Sequence, residues 1–219
     1  YRNEYLSPRS PYTTLQLPKQ GIGEWCHPTL TADIDDSGIR AQVRSGLLST
    51  SLGVPFHTPA EGKNIAFTSL WDNYPDSLTI PLTGKASHAY LLLAGSTNHM
   101  QCHIANGVIR VHYADGTSET LELINPDNWC PIEQDFYVDG IAFCLQTPRP
   151  YRLHFKSGLV SNNLEKDLNI TGVYGRSIDG GAGVLLDMLL DPHKELKSLT
   201  LETLSNDVVI GIMGITLQK

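Results

Sequence analysis

The chain has 219 residues, of which 41% are hydrophobic and 18% charged, so a packed core is expected and a disordered chain is excluded. A net charge of −7 without any basic run argues against nucleic acid as a partner. No window approaches the roughly 18 consecutive apolar residues of a membrane helix, so no membrane span is expected.

Residues 1–28 are rich in Pro, Tyr and Gly and are read as an extended N-terminal arm, with residues 29–219 forming one domain. Tyr1 is not an initiator methionine and no leader is evident, so the chain is read as processed or excised from a longer one. Thr29–Ile34 and Ile39–Val43 flank Asp35-Asp36-Ser37-Gly38, good hairpin chemistry. In Ser77–Leu82, Leu78, Ile80 and Leu82 alternate with polar residues and with Pro81, which cannot donate a ladder hydrogen bond; this predicts an edge strand. His88–Ala94 is apolar on both faces and predicts a central strand.

Val108–Tyr113 and Thr120–Ile124 alternate about Asp115-Gly116 and predict a hairpin. Tyr151–Phe155 alternates again, with Tyr151, Leu153 and Phe155 expected inward and Arg152 and His154 outward. Val184–Leu190 fits a strand or a short helix, and Lys197–Thr203 is a strand burying Leu199 and Leu201. Val208–Leu217 is apolar on both faces, and its two glycines suggest close packing against another layer. Recurrent strands without a long amphipathic helix or a repeat predict an all-β fold, an antiparallel sandwich or barrel.

Trp71-Asp72-Asn73-Tyr74 is the leading candidate site. An indole or phenol face stacks on the C–H face of a sugar ring, while Asp72, Asn73 and Asn98 could hydrogen-bond its hydroxyls. The competing reading has Trp71 cap the core while Asp72-Asn73 make a turn. Trp129 marks a second aromatic loop, followed by Glu133 and Asp135. A glycosidase needs two carboxyls roughly 5 to 10 Å apart. On an extended strand, side chains two positions apart share a face at roughly 6 to 7 Å, and that spacing also arises by chance.

Cys26-His27 and Cys102-His103 point to opposite faces if extended, so neither dipeptide chelates zinc well. Cys26, Cys102, Cys130 and Cys144 are read as buried free thiols. Asp179-Gly-Gly-Ala-Gly183 lacks dinucleotide-loop spacing and is read as a glycine-rich turn. No cofactor is expected; calcium on Asp33, Asp35 and Asp36 competes with a solvated hairpin tip.

The stretches TSLWDNYPDSLTIPLTGKASHAYLLLAGSTN, GVIRVHYADGTSETLEL and NWCPIEQDF resemble a C-terminal region of large secreted bacterial proteins that look like glycoside hydrolases of polysaccharide utilisation. The ending LDPHKELKSLTLETLSNDVVIGIMGITL is similar to the last strands of galactose-binding-domain-like jelly rolls. The resemblance spans residues 11–219 and implies an extracytoplasmic jelly-roll sandwich working beside a catalytic domain, with carbohydrate as its ligand. It carries over no catalytic residue. Three functions are therefore entertained. One is a non-catalytic carbohydrate-binding accessory module, with Trp71, Asp72, Asn73, Tyr74, Asn98 and Trp129 as binding residues. Another is a structural module packing against a glycoside hydrolase domain, and the third is a hydrolase using Glu133 and Asp135.

Overall fold

The computed structural model describes residues 12–15, 34–71, 74–97, 99–135, 145, 147–171 and 177–219. The strands are β1 (Tyr12–Leu15), β2 (Leu47–Ser49), β3 (Pro55–His57), β4 (Ala66–Ser69), β5 (Ser77–Pro81), β6 (His88–Ser96) and β7 (Ala105–Tyr113). They continue with β8 (Ser118–Ile124), β9 (Tyr151–His154), β10 (Val160–Ser161), β11 (Ala182–Leu189), β12 (Leu196–Thr203) and β13 (Val209–Gln218). Two short α-helices among the described residues are α1 (Ser37–Gln42) and α2 (Leu164–Asp167). All strand pairs are antiparallel among the described residues.

Three sheets result. A seven-stranded sheet runs β1-β13-β6-β11-β9-β10, with β4 also on β13; a four-stranded sheet runs β5-β12-β7-β8; and β2-β3 form a small hairpin. β4 pairs with Val209–Ile212, and β1 with Ile215–Gln218. A bulge between Ile212 and Gly214 separates the halves and turns Ile215 and Leu217 back to the face of Ile210 and Ile212.

The main core fills the space between the two larger sheets. Ala89, Leu91 and Leu93 of β6 meet Ile109 and Val111 of β7, Leu199 and Leu201 of β12, and Leu121 and Leu123 of β8. A second core lies on the opposite face of the seven-stranded sheet, where Tyr90, Leu92 and Leu185 pack with Ile39, Val43, Leu48 and Phe56. Burial on both faces explains why β6 and β13 are continuously apolar. The chain is an all-β antiparallel sandwich with one sheet covered on both sides.

The edge position of β5, the central position of β6 and the β7–β8 hairpin, with Ile109 opposite Leu121, follow the sequence reading. Residues 182–189 form a strand, resolving the ambiguity at Val184–Leu190. Gly180 and Gly181 both take positive φ in the turn before it.

Two expectations are corrected. The hairpin about Asp35–Gly38 is not formed: residues 37–42 are helical, and Thr29–Asp33 lie outside the described residues. Ile39 in the helix and Val43 at its extended C-cap both enter the second core. Ile39 N–H donates to Phe155 O at 2.9 Å, while Gly38 lies so close to the Lys156 carbonyl that a Cβ would collide with it. Arg152 and His154 do not face solvent, being 1% and 6% exposed. Their alternation with Leu153 is real, but both faces of β9 are covered.

Gly95 tests the packing between the sheets. A Cβ there would strike the Val209 carbonyl oxygen and stand 2.7 Å from the Trp129 ring. Gly84 has φ +78° and open space around it. Gly95→Ala is expected to lose about 3 kcal/mol in urea unfolding and Gly84→Ala only about 1 kcal/mol, since overpacking outweighs an unfavourable φ.

Candidate functional site

The aromatic corner follows β4. Ser69 N–H donates to Pro75 O at 2.9 Å and Tyr74 N–H to Trp71 O at 3.0 Å, so the loop is pinned at its neck and tip. Ser69 Oγ donates to Val208 O at 2.8 Å, tying the neck to the chain entering β13. Tyr74 meets Phe67 edge-on at 6.1 Å and Trp71 at 6.5 Å with the rings tilted by 47°. Trp71 and Tyr74 are each half-buried, leaning on the second core. The structure brings these two candidates together; Asp72, Asn73 and Asn98 lie outside the described residues.

Trp129 is elsewhere and closed off. It is 0% exposed, packed between the sheets against Gly95, and offers no open face for a sugar. Its indole N–H has no hydrogen-bond partner among the described residues. The turn ahead of it is held by Asn128, whose Oδ1 accepts from Ile124 N–H at 2.7 Å and whose Nδ2 donates to Glu122 O at 2.8 Å.

Past Trp129 the chain turns, so Glu133 and Asp135 are not on the extended strand that the spacing argument assumed. Asp135 is 4% exposed, with Arg149 Nη1 4.0 Å from its Oδ2. Burial pushes the Glu133 carboxyl above the usual range, opposed by the nearby Arg152 charge, and Oε2 has no hydrogen-bond partner among the described residues. The adjoining Cys130 thiol is pushed up to about 12 by burial and stays protonated. Cys102 and Cys130 are free thiols; Cys26 and Cys144 lie outside the described residues.

Arg152, read from sequence as a solvent-facing residue, organises this region. Nη2 donates to Pro131 O at 3.0 Å and Ala182 O at 2.9 Å, and Nη1 donates to Gln134 O. A buried guanidinium that donates to carbonyls of both segments clamps the 131–134 turn to β11. His154 likewise uses both ring nitrogens, with Ser157 Oγ and Asp179 O each at 2.7 Å.

His88 is a further residue that pattern reading passed over. Its Nδ1 lies 2.6 Å from Oδ1 of the wholly buried Asp187, and its ring stacks on Tyr90 at 5.6 Å. Only the register of β11 on β6, 99 positions apart in sequence, could have signalled that pairing.

Asp35 and Asp36 are committed to local contacts. Asp35 Oδ1 accepts from Ser37 N–H at 3.0 Å, and the Ser37 hydroxyl, followed by this N–H, holds its carboxyl below the usual range. Asp36 Oδ2 accepts from Arg40 and Asn64, each at 2.8 Å, and Asp33 lies outside the described residues. Among the described residues no group of three or more His, Cys, Asp or Glu is placed to hold a metal ion. No described helix is long and apolar enough to cross a membrane.

Open clefts also lie among the described residues. One of about 310 Å³ lies beside His154, Asn169 and Asp179. One of about 420 Å³ runs along β8, between Thr120 and Glu122 on one side and Asp127 and Thr147 on the other. Fold and surface together define an antiparallel β-sandwich with an aromatic corner past one end of β4 and a cleft on the edge strand β8. No protein-family model matches the chain, and no curated protein matches it.

Two outcomes test this region. Arg152→Met is expected to lose about 3–5 kcal/mol in urea unfolding, because three buried carbonyls lose their donor, and Arg152→Lys to recover only part. Glu133→Gln is expected to raise the melting temperature at pH 7 and leave it unchanged at pH 3. The folded carboxyl titrates above the unfolded one, so the wild type loses stability as pH rises through that window, and the amide does not.

Proposed function

We propose that the chain is a non-catalytic accessory module of a polysaccharide-degrading protein, working outside the cytoplasm and binding poly- or oligosaccharide. The observation that carries this reading is the aromatic corner. Trp71 and Tyr74 are neighbours, rooted on Phe67 and the second core, and each keeps part of its surface open. A rigid, half-exposed aromatic pair supplies stacking area at little entropic cost. The resemblance of 68–98 and 190–217 to secreted hydrolase regions and galactose-binding-like jelly rolls supports the same assignment.

A second reading has a specific observation in its favour. Because Trp71 and Tyr74 are partly sunk into a core cluster, the same corner suits docking against a neighbouring catalytic domain. Hydrolysis by the chain itself is the weakest reading, since Asp135 is nearly closed to solvent and Glu133 is held by burial.

Trp71→Ala decides among them. Sugar stacking predicts loss of retention in affinity gels cast with neutral polysaccharides, with a stability loss of about 1–2 kcal/mol for a half-buried ring. Undiminished retention removes Trp71 from the site. Loss of about 3–5 kcal/mol favours the structural module. Reducing-sugar release from a polysaccharide panel by the wild-type chain would move hydrolysis to first place.

A further inference from the structure

We propose that the polysaccharide site at the aromatic corner runs on across the same end of the sandwich, over Leu70, Met100, Ile104 and Leu204, and takes chains that carry no carboxylate or sulfate. This rests on the carbohydrate reading of Trp71 and Tyr74 and extends it to two further connections.

Topology is the first observation. Ser69 at the end of β4 and Ser96 at the end of β6 both pair with Val209, and Thr203 at the end of β12 lies opposite Gly107 near the start of β7. The connections 70–76, 97–104 and 204–208 therefore emerge at one end of the sandwich. Hydrogen bonds stitch them together. Thr203 N–H donates to Asp76 O at 3.0 Å, Ser69 Oγ to Val208 O at 2.8 Å, and Gln101 Nε2 to Asn206 O. Leu204 N–H donates to Asn106 O at 2.9 Å, and Asn106 Nδ2 donates to Gln101 O at 2.9 Å. The connections are thus held together before a ligand arrives, which lowers the ordering cost of binding.

Apolar surface is the second. Leu70, Met100, Ile104 and Leu204 are 41%, 87%, 50% and 42% exposed, four of the seven large hydrophobic side chains that stand exposed among the described residues. Concentrated at one end, such side chains mark a binding surface, whereas single ones scattered elsewhere do not. Trp71 leans on the core behind the seven-stranded sheet, while Ile104 and Leu204 adjoin β7 and β12 of the other sheet. The row thus spans more than the roughly 10 Å between packed sheets, longer than one sugar ring. Charge then selects the occupant. The three connections contain Asp72, Asp76 and Asp207, amides that include Asn73, Asn98 and Asn206, and no lysine or arginine. Amides both donate and accept, which matches hydroxyl groups, while the carboxylates repel an anionic chain. A second copy of this end would set the aspartates against their like, which opposes self-association through it.

The test runs the full chain in affinity gels cast with galactomannan, mixed-linkage glucan or polygalacturonate, and reads dissociation constants from the retardation. Retention is expected on an uncharged gel and not on polygalacturonate at low salt. Met100→Ser and Leu204→Ser alter exposed side chains, so both are expected to keep the wild-type midpoint in urea. Each is expected to weaken retention on the uncharged gel about threefold or more. The proposal is overturned, with the carbohydrate reading intact, if Trp71→Ala abolishes retention while either serine variant binds as wild type. Retention on polygalacturonate as strong as on an uncharged gel overturns it too, as does a concentration-dependent dimer that Met100→Ser abolishes. Retention absent from every gel, or undiminished by Trp71→Ala, overturns it together with the carbohydrate reading.

Discussion

The seven-stranded sheet is covered on both faces, and the rest of the structure depends on that. A sheet with one wet face alternates apolar and polar residues, and its faces can be told apart by eye. Here β6 sends Leu91 and Leu93 into the space between the sheets and Tyr90 and Leu92 into a second core under α1 and the β2–β3 hairpin. With no wet side, any polar group on the central strands must find a partner inside the protein or lose its solvation. Arg152, Asp187 and His154 meet that demand in different ways: carbonyls around a guanidinium, a histidine against a carboxylate, and both nitrogens of a ring engaged.

The four-stranded sheet has one face in the main core and one in water, and this division places the functional surfaces. Its exposed face carries short polar side chains, with Thr79 and Thr200 hydroxyls 3.1 Å apart and Arg110 paired to Glu202. One edge strand, β5, is blunted by Pro81, and β8 is the other end strand among the described residues. Recognition surfaces on sandwiches tend to sit at loops and edges, because there backbone and side chains can face a ligand without opening the core. The aromatic corner obeys that rule, standing on the connection from β4 into the edge strand β5.

Legibility followed local period. β5, β7, β8 and β12 each have one buried and one wet face, and their strands and hairpin were readable from alternation. The 37–42 helix was not, because Ile39 and Val43 suit a strand as well as a helix, and contact with the turn at Phe155 and Lys156 decides between them. For the candidate site, the neighbourhood of Trp71 and Tyr74 was legible since four residues span one turn. Trp129 was grouped with them on chemistry alone, and the fold places it between the sheets.

The sequence by itself determined the class of fold, the edge and central roles of β5 and β6, and the closely packed glycines of β13. Each is set by the alternation of side chains along one strand, or by a residue such as Pro81 that lacks a donor. Only the tertiary structure decided which faces are wet, and that Arg152 is buried while Trp71 is only half-buried. Those outcomes depend on which strands become neighbours and what covers them. Such contacts join positions far apart in the chain, such as Gly95 with Trp129, His88 with Asp187 and Arg152 with Ala182, and no local pattern encodes them.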